Sequence, residues 1–360
     1  MVDLKRNGTI DFWKFIFSLW IVLNHITVYK GYLSMAIGGS VCVEFFFLVS
    51  GYLMANSMER TRATDIELGK RTASFLFKKI KHIYPYFLFT WIFSFIVTHW
   101  VNHTPVAEIL ENLLESPYQL MLLQMAVSRS LGHSVWVSWY ISAMIIAMLI
   151  LYPLRFKWKD SFDYIVGPVL GLCMVGYTYN SFSRIPVIDH YESQFLIYSG
   201  VIRAIAEIAL GCTCFSICEH LKKVSFGGGG KILLAIIEFG GYIGVLLGTN
   251  KWSNSNKDLI WLLIFMISIT ISFSQKSLLS KWFNNKLFYY LGKFSLPLYL
   301  VHLEVLLRWK FDFGWTENQN FLMYIIAIII ISVLCLWIGE LWNKKSSAFW
   351  KWCQRWILEI

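Results

Sequence analysis

The chain alternates long apolar runs with short polar ones. Ten runs stand out, at 12–30, 36–56, 83–101, 135–153, 162–178, 198–218, 231–249, 258–275, 288–309 and 321–342. A helix needs about 20 mostly apolar residues to cross a bilayer. Eight of the runs meet that length comfortably, and 162–178 and 258–275 are the shortest. A membrane strand barrel is excluded, because its segments alternate with period two over only about 10 residues. The pattern predicts an all-α polytopic membrane protein of about ten transmembrane helices.

Composition agrees. The 360 residues are 57% hydrophobic and 15% charged, against about 45–50% and 25% in soluble domains. The net charge of +10 invites a nucleic-acid reading, but its distribution argues for topology instead. With the N-terminus inside, the segments 1–11, 57–82, 154–161, 219–231, 276–287 and 343–360 face the cytoplasm and carry 22 of the 32 Lys and Arg residues. The outside segments carry five. The positive-inside rule then predicts both termini cytoplasmic. Lys-rich inner loops and Asn-rich outer ones fit a multi-pass protein of a bacterial cytoplasmic cell membrane, and the first run has no cleavage site of a signal peptide.

Residues 346–360 read as a cytoplasmic amphipathic tail after a membrane domain spanning 1–345. The second half of 57–82 suits a helix lying on the inner leaflet, and a short amphipathic helix is expected around 106–127. The seven Cys residues show no metal-ligand spacing, so no metal is expected. Gly227 to Gly230 lacks the ending of a phosphate loop and reads as a turn.

Ionisable groups within a span are costly and therefore carry functional hypotheses. Lys14 and His25 lie eleven residues apart in the first run. Eleven steps of about 100° return to within about 20° of one face, and the rise of about 1.5 Å per residue separates them by about 16 Å. Glu44, in the second run, falls at a depth similar to His25 across a short hairpin. A carboxylate beside an imidazole fixes its tautomer and makes it a general base. The alternatives are a packed, hydrogen-bonded histidine and a buried structural ion pair. Asn24 points about 100° away from His25 and is assigned no chemistry.

These residues sit in recognisable segments. IDFWKFIFSLWIVLNH (10–25) resembles the opening of the acyltransferase 3 family of integral membrane O-acyltransferases, a basic residue and then a His eleven positions on. GGSVCVEFFFLVSGYLM (38–54) resembles the following segment, through Glu44, Phe45, Phe46, Ser50, Gly51, Tyr52 and Leu53. FLFKKIKHIYPYF (75–87) resembles the basic helix before the third span, with Lys79 and His82 at two positions usually held by Arg. WYISAMIIAMLILYP (139–153) resembles the fourth-span Trp motif, with Met144 where many members carry Glu. RAIAEIALG (203–211) and LGKFSLPLYLVH (291–302) resemble two later family segments.

The resemblance implies transfer of an acyl group, most often acetyl, from cytoplasmic acyl-CoA to a hydroxyl of a cell-surface or lipid-linked glycan. It implies His25 and Glu44 as catalytic residues, His25 deprotonating the acceptor or being acylated first, with Glu44 orienting it. Lys14, Lys78, Lys79 and His82, with Ser50 and Tyr52, are expected along the donor path, where charge-assisted hydrogen bonds hold the phosphates of coenzyme A. Trp139, Arg203 and His302 are expected to meet the acceptor, with Arg203 pairing Glu207 as the alternative. Acyl-CoA is then a co-substrate, the bilayer and a glycan are the partners, nucleic acid is not, and the oligomeric state is open. The rival readings are a transporter or flippase for a lipid-linked sugar, using the same polar stripe without acyl chemistry, and a non-catalytic subunit of an envelope assembly.

Overall fold

The computed structural model describes residues 6–31, 36–62, 66–126, 133, 135–182, 193–194, 197–251, 258–308 and 316–359. Each of the ten apolar runs contains a helix. These are α1 (Gly8–Lys30), α2 (Cys42–Thr61), α3 (Leu68–Val101), α4 (Trp139–Lys157), α5 (Gly167–Phe182), α6 (Ser199–Lys223), α7 (Gly228–Lys251), α8 (Asp258–Ser274), α9 (Lys286–Arg308) and α10 (Glu317–Lys345). Among the described residues, eight helices are long and apolar enough to cross a membrane, and α8 is a shorter apolar helix. The shortest runs are again the shortest helices, 16 residues for α5 and 17 for α8. The helical turns before α5 widen to a π turn at Phe162–Val166. Pro168 follows, and a proline ring has no N–H and crowds the preceding turn.

The layout follows from side-chain size. α6 is almost wholly buried, and its run of Ala204, Ala206, Ala209, Gly211 and Cys212 lets neighbours approach closely. It packs on α2, α4, α5 and α8. At the α2–α6 crossing, a Cβ on Gly51 would fall 2.2 Å from the Ile208 carbonyl oxygen, and one on Gly211 would fall 2.2 Å from that of Leu48. Small residues of this kind replace hydrophobic driving force as the basis of association in lipid. Gly51→Ala is therefore expected to lower stability by about 1–3 kcal/mol through overpacking, read as a fall in unfolding temperature of the detergent-solubilised protein. At the periphery, α10 turns Ile329, Ile330, Val333 and Trp337 outward, as a lipid-facing helix does.

Two amphipathic pieces flank the bundle. Val106–Glu115 exposes Val106, Leu110, Leu113 and Leu114 along one stripe, and it ends well short of residue 127. The tail forms a helix, Ser347–Glu359, that packs Trp350 onto Phe77 of α3. The segment after Val106–Glu115 dips back inward, burying Gln119, Leu122, Gln124 and Met125. The segment 179–197, expected as an outer loop, lies largely outside the described residues.

α1 and α9 form the most extensive helix pair. Asn7 caps α1, its Oδ1 accepting from the Ile10 N–H at 3.2 Å while its Nδ2 donates to the Ser272 carbonyl at 2.7 Å. At the other end, Asn24 donates to the carbonyls of Ala36 and Ile37, both at 2.8 Å, and ties down the turn into α2. Both ends of α1 are thereby fixed, and with them the polar stripe it carries.

Candidate active site

Asn7, Asp11, Lys14, Ser18 and His25 follow one another at spacings of three, four and seven residues, so they share a face of α1. The first four line a cavity of about 630 Å³ that starts at the basic end of the bundle. Lys79 and His82 of α3, Ser50 and Tyr52 of α2 and Lys293 of α9 join them. Arg6, Arg60 and Lys222 complete the cationic rim. The cavity closes on three mutually packed rings, Phe46, Tyr140 and Tyr299, with centroids 5.9–6.3 Å apart.

Behind that layer lie two histidines. His302 packs against Tyr299 at 5.9 Å between centroids. Its Nε2 lies 2.8 Å from Nδ1 of His25, and the two rings stack at 4.9 Å. The other nitrogen of His302, Nδ1, lies 3.2 Å from the Leu298 carbonyl oxygen. A carbonyl only accepts, so that nitrogen carries the proton. With both rings neutral, His302 Nε2 then accepts from His25 Nδ1–H. Nε2 of His25 is left as a free lone pair. His302 is fully buried, whereas His25 is partly exposed and sits 5.9 Å from the exposed Tyr29. The arrangement is a hydrogen-bonded chain that ends in an unprotonated ring nitrogen of a partly exposed residue.

Several expectations change. Glu44 does not partner His25. Both its oxygens bind the Arg203 guanidinium, Oε2 at 3.1 Å from Nε and Oε1 in a shorter contact with Nη2. The reason is azimuth: Val43 and Phe46 face the cavity, and at about 100° per residue Glu44 turns away from both, toward α6. Arg203 also donates to the Ser40 carbonyl at 3.3 Å and lies 3.4 Å from Glu207. It is buried over the Trp139 ring, Arg203 being 8% and Trp139 7% exposed. His302 is held against His25 instead of facing an acceptor. Lys78 is exposed and absent from the cavity wall, one position from Lys79, which lines it.

Ser50 and Tyr52 do line the cavity. Ser50 Oγ lies 3.3 Å from Tyr140 Oη and donates to Met144 Sδ at 3.4 Å. Tyr52 stacks flat on Phe273 at 3.6 Å and receives Lys222 Nζ at 3.4 Å. Tyr299, Tyr140, Asp11 and Lys293 were not singled out in the sequence. Asp11 shares the stripe of Lys14, which was the available signal. Among the described residues no set of metal-ligating side chains gathers.

The segment entering α4 is pinned beside the histidine pair. Tyr299 Oη donates to the Val137 carbonyl at 3.1 Å, and Glu304 Oε1 accepts from the Trp136 N–H at 3.0 Å. Ser94 bridges Glu304 and His133. Burial pushes the His133 imidazole down to about 3, with Arg308 and His99 adding to the effect, so this imidazole stays neutral at neutral pH.

No curated protein and no solved structure matches the chain. The family model described as an acyltransferase domain matches residues 7–340, which includes the cavity lining from Asn7 onward and both histidines. The chain belongs to the acyltransferase 3 family and is a membrane acyltransferase.

Proposed function

We propose that the protein moves an acyl group, acetyl in the first instance, from cytoplasmic acyl-CoA to a hydroxyl of a cell-surface or lipid-linked glycan in a bacterial cytoplasmic membrane. The observation that carries this reading is the free Nε2 of His25, on the same α1 stripe as the cation-lined cavity. Lys14 and His25 are separated by about 16 Å along the helix, on the order of an extended pantetheine arm. Phosphates at Lys14, Lys79 and the rim then put the thioester beside His25, once the Phe46, Tyr140 and Tyr299 rings part. The acceptor hydroxyl approaches past Tyr29, from the side opposite the donor. His25 Nε2 takes its proton as the oxygen attacks the thioester carbonyl. The C–S bond breaks, and the departing thiolate recovers the proton from His25. His302 and the Leu298 carbonyl hold the tautomer throughout.

The test has two arms. Protein reconstituted in vesicles with acetyl-CoA and host glycolipid is expected to release free coenzyme A thiol. Mass spectrometry of surface glycans from cells with and without the protein is expected to differ by whole acetyl groups. Unchanged glycans together with an intact thioester pool overturn the reading, and substrate translocation without thiol release supports a flippase.

A further inference from the structure

Six Lys and Arg side chains line the donor cavity, and a single carboxylate joins them, that of Asp11. Asp11 is 2% exposed. Its Oδ1 accepts from Arg6 Nη2 at 2.7 Å and lies 3.7 Å from Lys14 Nζ. Its Oδ2 is buried and has no hydrogen-bond partner. The backbone of α9 is recessed to admit the group: a Cβ on Gly292 would fall 2.4 Å from Asp11 Cβ and 2.6 Å from Oδ1. A carboxylate oxygen buried without a donor is costly, and a negative charge in a cavity that collects anions also repels the ligand. Both costs are offset when the ligand brings a hydrogen-bond donor to that oxygen.

The position names the donor. Asp11 lies three residues before Lys14, about 4.5 Å further toward the basic end. This step rests on the acyl-CoA reading, which sets the diphosphate at Lys14. The next group outward is then the ribose of the nucleotide. Its 3′-oxygen is phosphorylated in coenzyme A, and its 2′-oxygen keeps a hydroxyl. Carboxylates bind ribose hydroxyls in this way in dinucleotide sites of other folds. We propose that Asp11 Oδ2 accepts a hydrogen bond from the ribose 2′-hydroxyl of coenzyme A, so that the cavity selects a nucleotide-bearing thioester over a phosphopantetheine thioester that stops at its phosphate.

Binding isotherms of the full chain in detergent test this without an acceptor. The probes are coenzyme A, 2′-deoxy-coenzyme A and 4′-phosphopantetheine. The unaltered protein is expected to bind coenzyme A about 10- to 100-fold more tightly than the 2′-deoxy compound, as for a hydrogen bond to a charged group. In Asp11→Ala that ratio is expected to fall to near one, with phosphopantetheine binding little changed. Equal binding of the two nucleotides by the unaltered protein overturns the proposal, whether or not the variant folds. So does an Asp11→Ala variant that weakens all three probes by one factor, which is the signature of a residue that only holds Arg6 and Lys14. Failure of coenzyme A itself to bind overturns the acyl-CoA reading as well.

Discussion

Replacing His25 by alanine is expected to reduce acyl transfer by about 10²–10⁴-fold, the range of a lost general base, while the protein inserts and unfolds as before. The loss is expected in kcat, because His25 lies behind the ring layer and does not line the cavity proposed to take the donor. Coenzyme A affinity is therefore expected to hold. His302→Ala is expected to give a partial loss of the same kind. It leaves the base in place and removes the acceptor that keeps the proton on Nδ1 of His25, at 2.8 Å. Rates with saturating acetyl-CoA for the two variants, beside coenzyme A isotherms, check both. Full transfer by His25→Ala removes the imidazole from the chemistry.

The architecture was legible because the bilayer imposes one length and one composition on every span. Depth along a helix was legible too, since it is residue number multiplied by rise: Lys14 and His25 do lie on one stripe, and Lys14 does line a cavity. Azimuth across helices was not. Glu44 and Val43 are neighbours in sequence, yet one faces α6 and the other the cavity, and only packing at the Gly51–Gly211 crossing decides which. Lys78 and Lys79 divide in the same way. Tyr299 was hidden for a different reason, and His302, though expected in the site, was assigned to the acceptor and not to His25. An aromatic and a histidine on an apolar helix have an ordinary packing explanation, and their role emerges only when α9 is laid against α1. Asp11, near the start of a helix, likewise passes for a residue favoured there by the helix dipole.

The reassignment of Glu44 has a measurable consequence. Arg203 is the only guanidinium within reach of two buried carboxylates, Glu44 and Glu207, among the described residues. Removing one partner of a buried ion pair leaves an uncompensated charge and costs about 3–5 kcal/mol. Arg203→Ala is expected to do at least that, since it strands two acids at once, and the fall should show in thermal unfolding of the solubilised protein. Replacing all three with similarly sized neutral side chains, Glu44→Gln and Glu207→Gln with Arg203→Met, is expected to recover a large part of the loss, because desolvation of the charges is removed together with their attraction. Glu44→Gln alone separates the two roles considered for this residue. As the anchor of α2 to α6 it loses stability first and keeps the His25 tautomer, so folded protein retains most of its transfer rate. As the orienting partner of His25 it would keep its stability and lose rate as His25→Ala does. Rate per folded molecule, measured beside the unfolding temperature, distinguishes these, and a variant that is stable but inactive returns Glu44 to the catalytic chain.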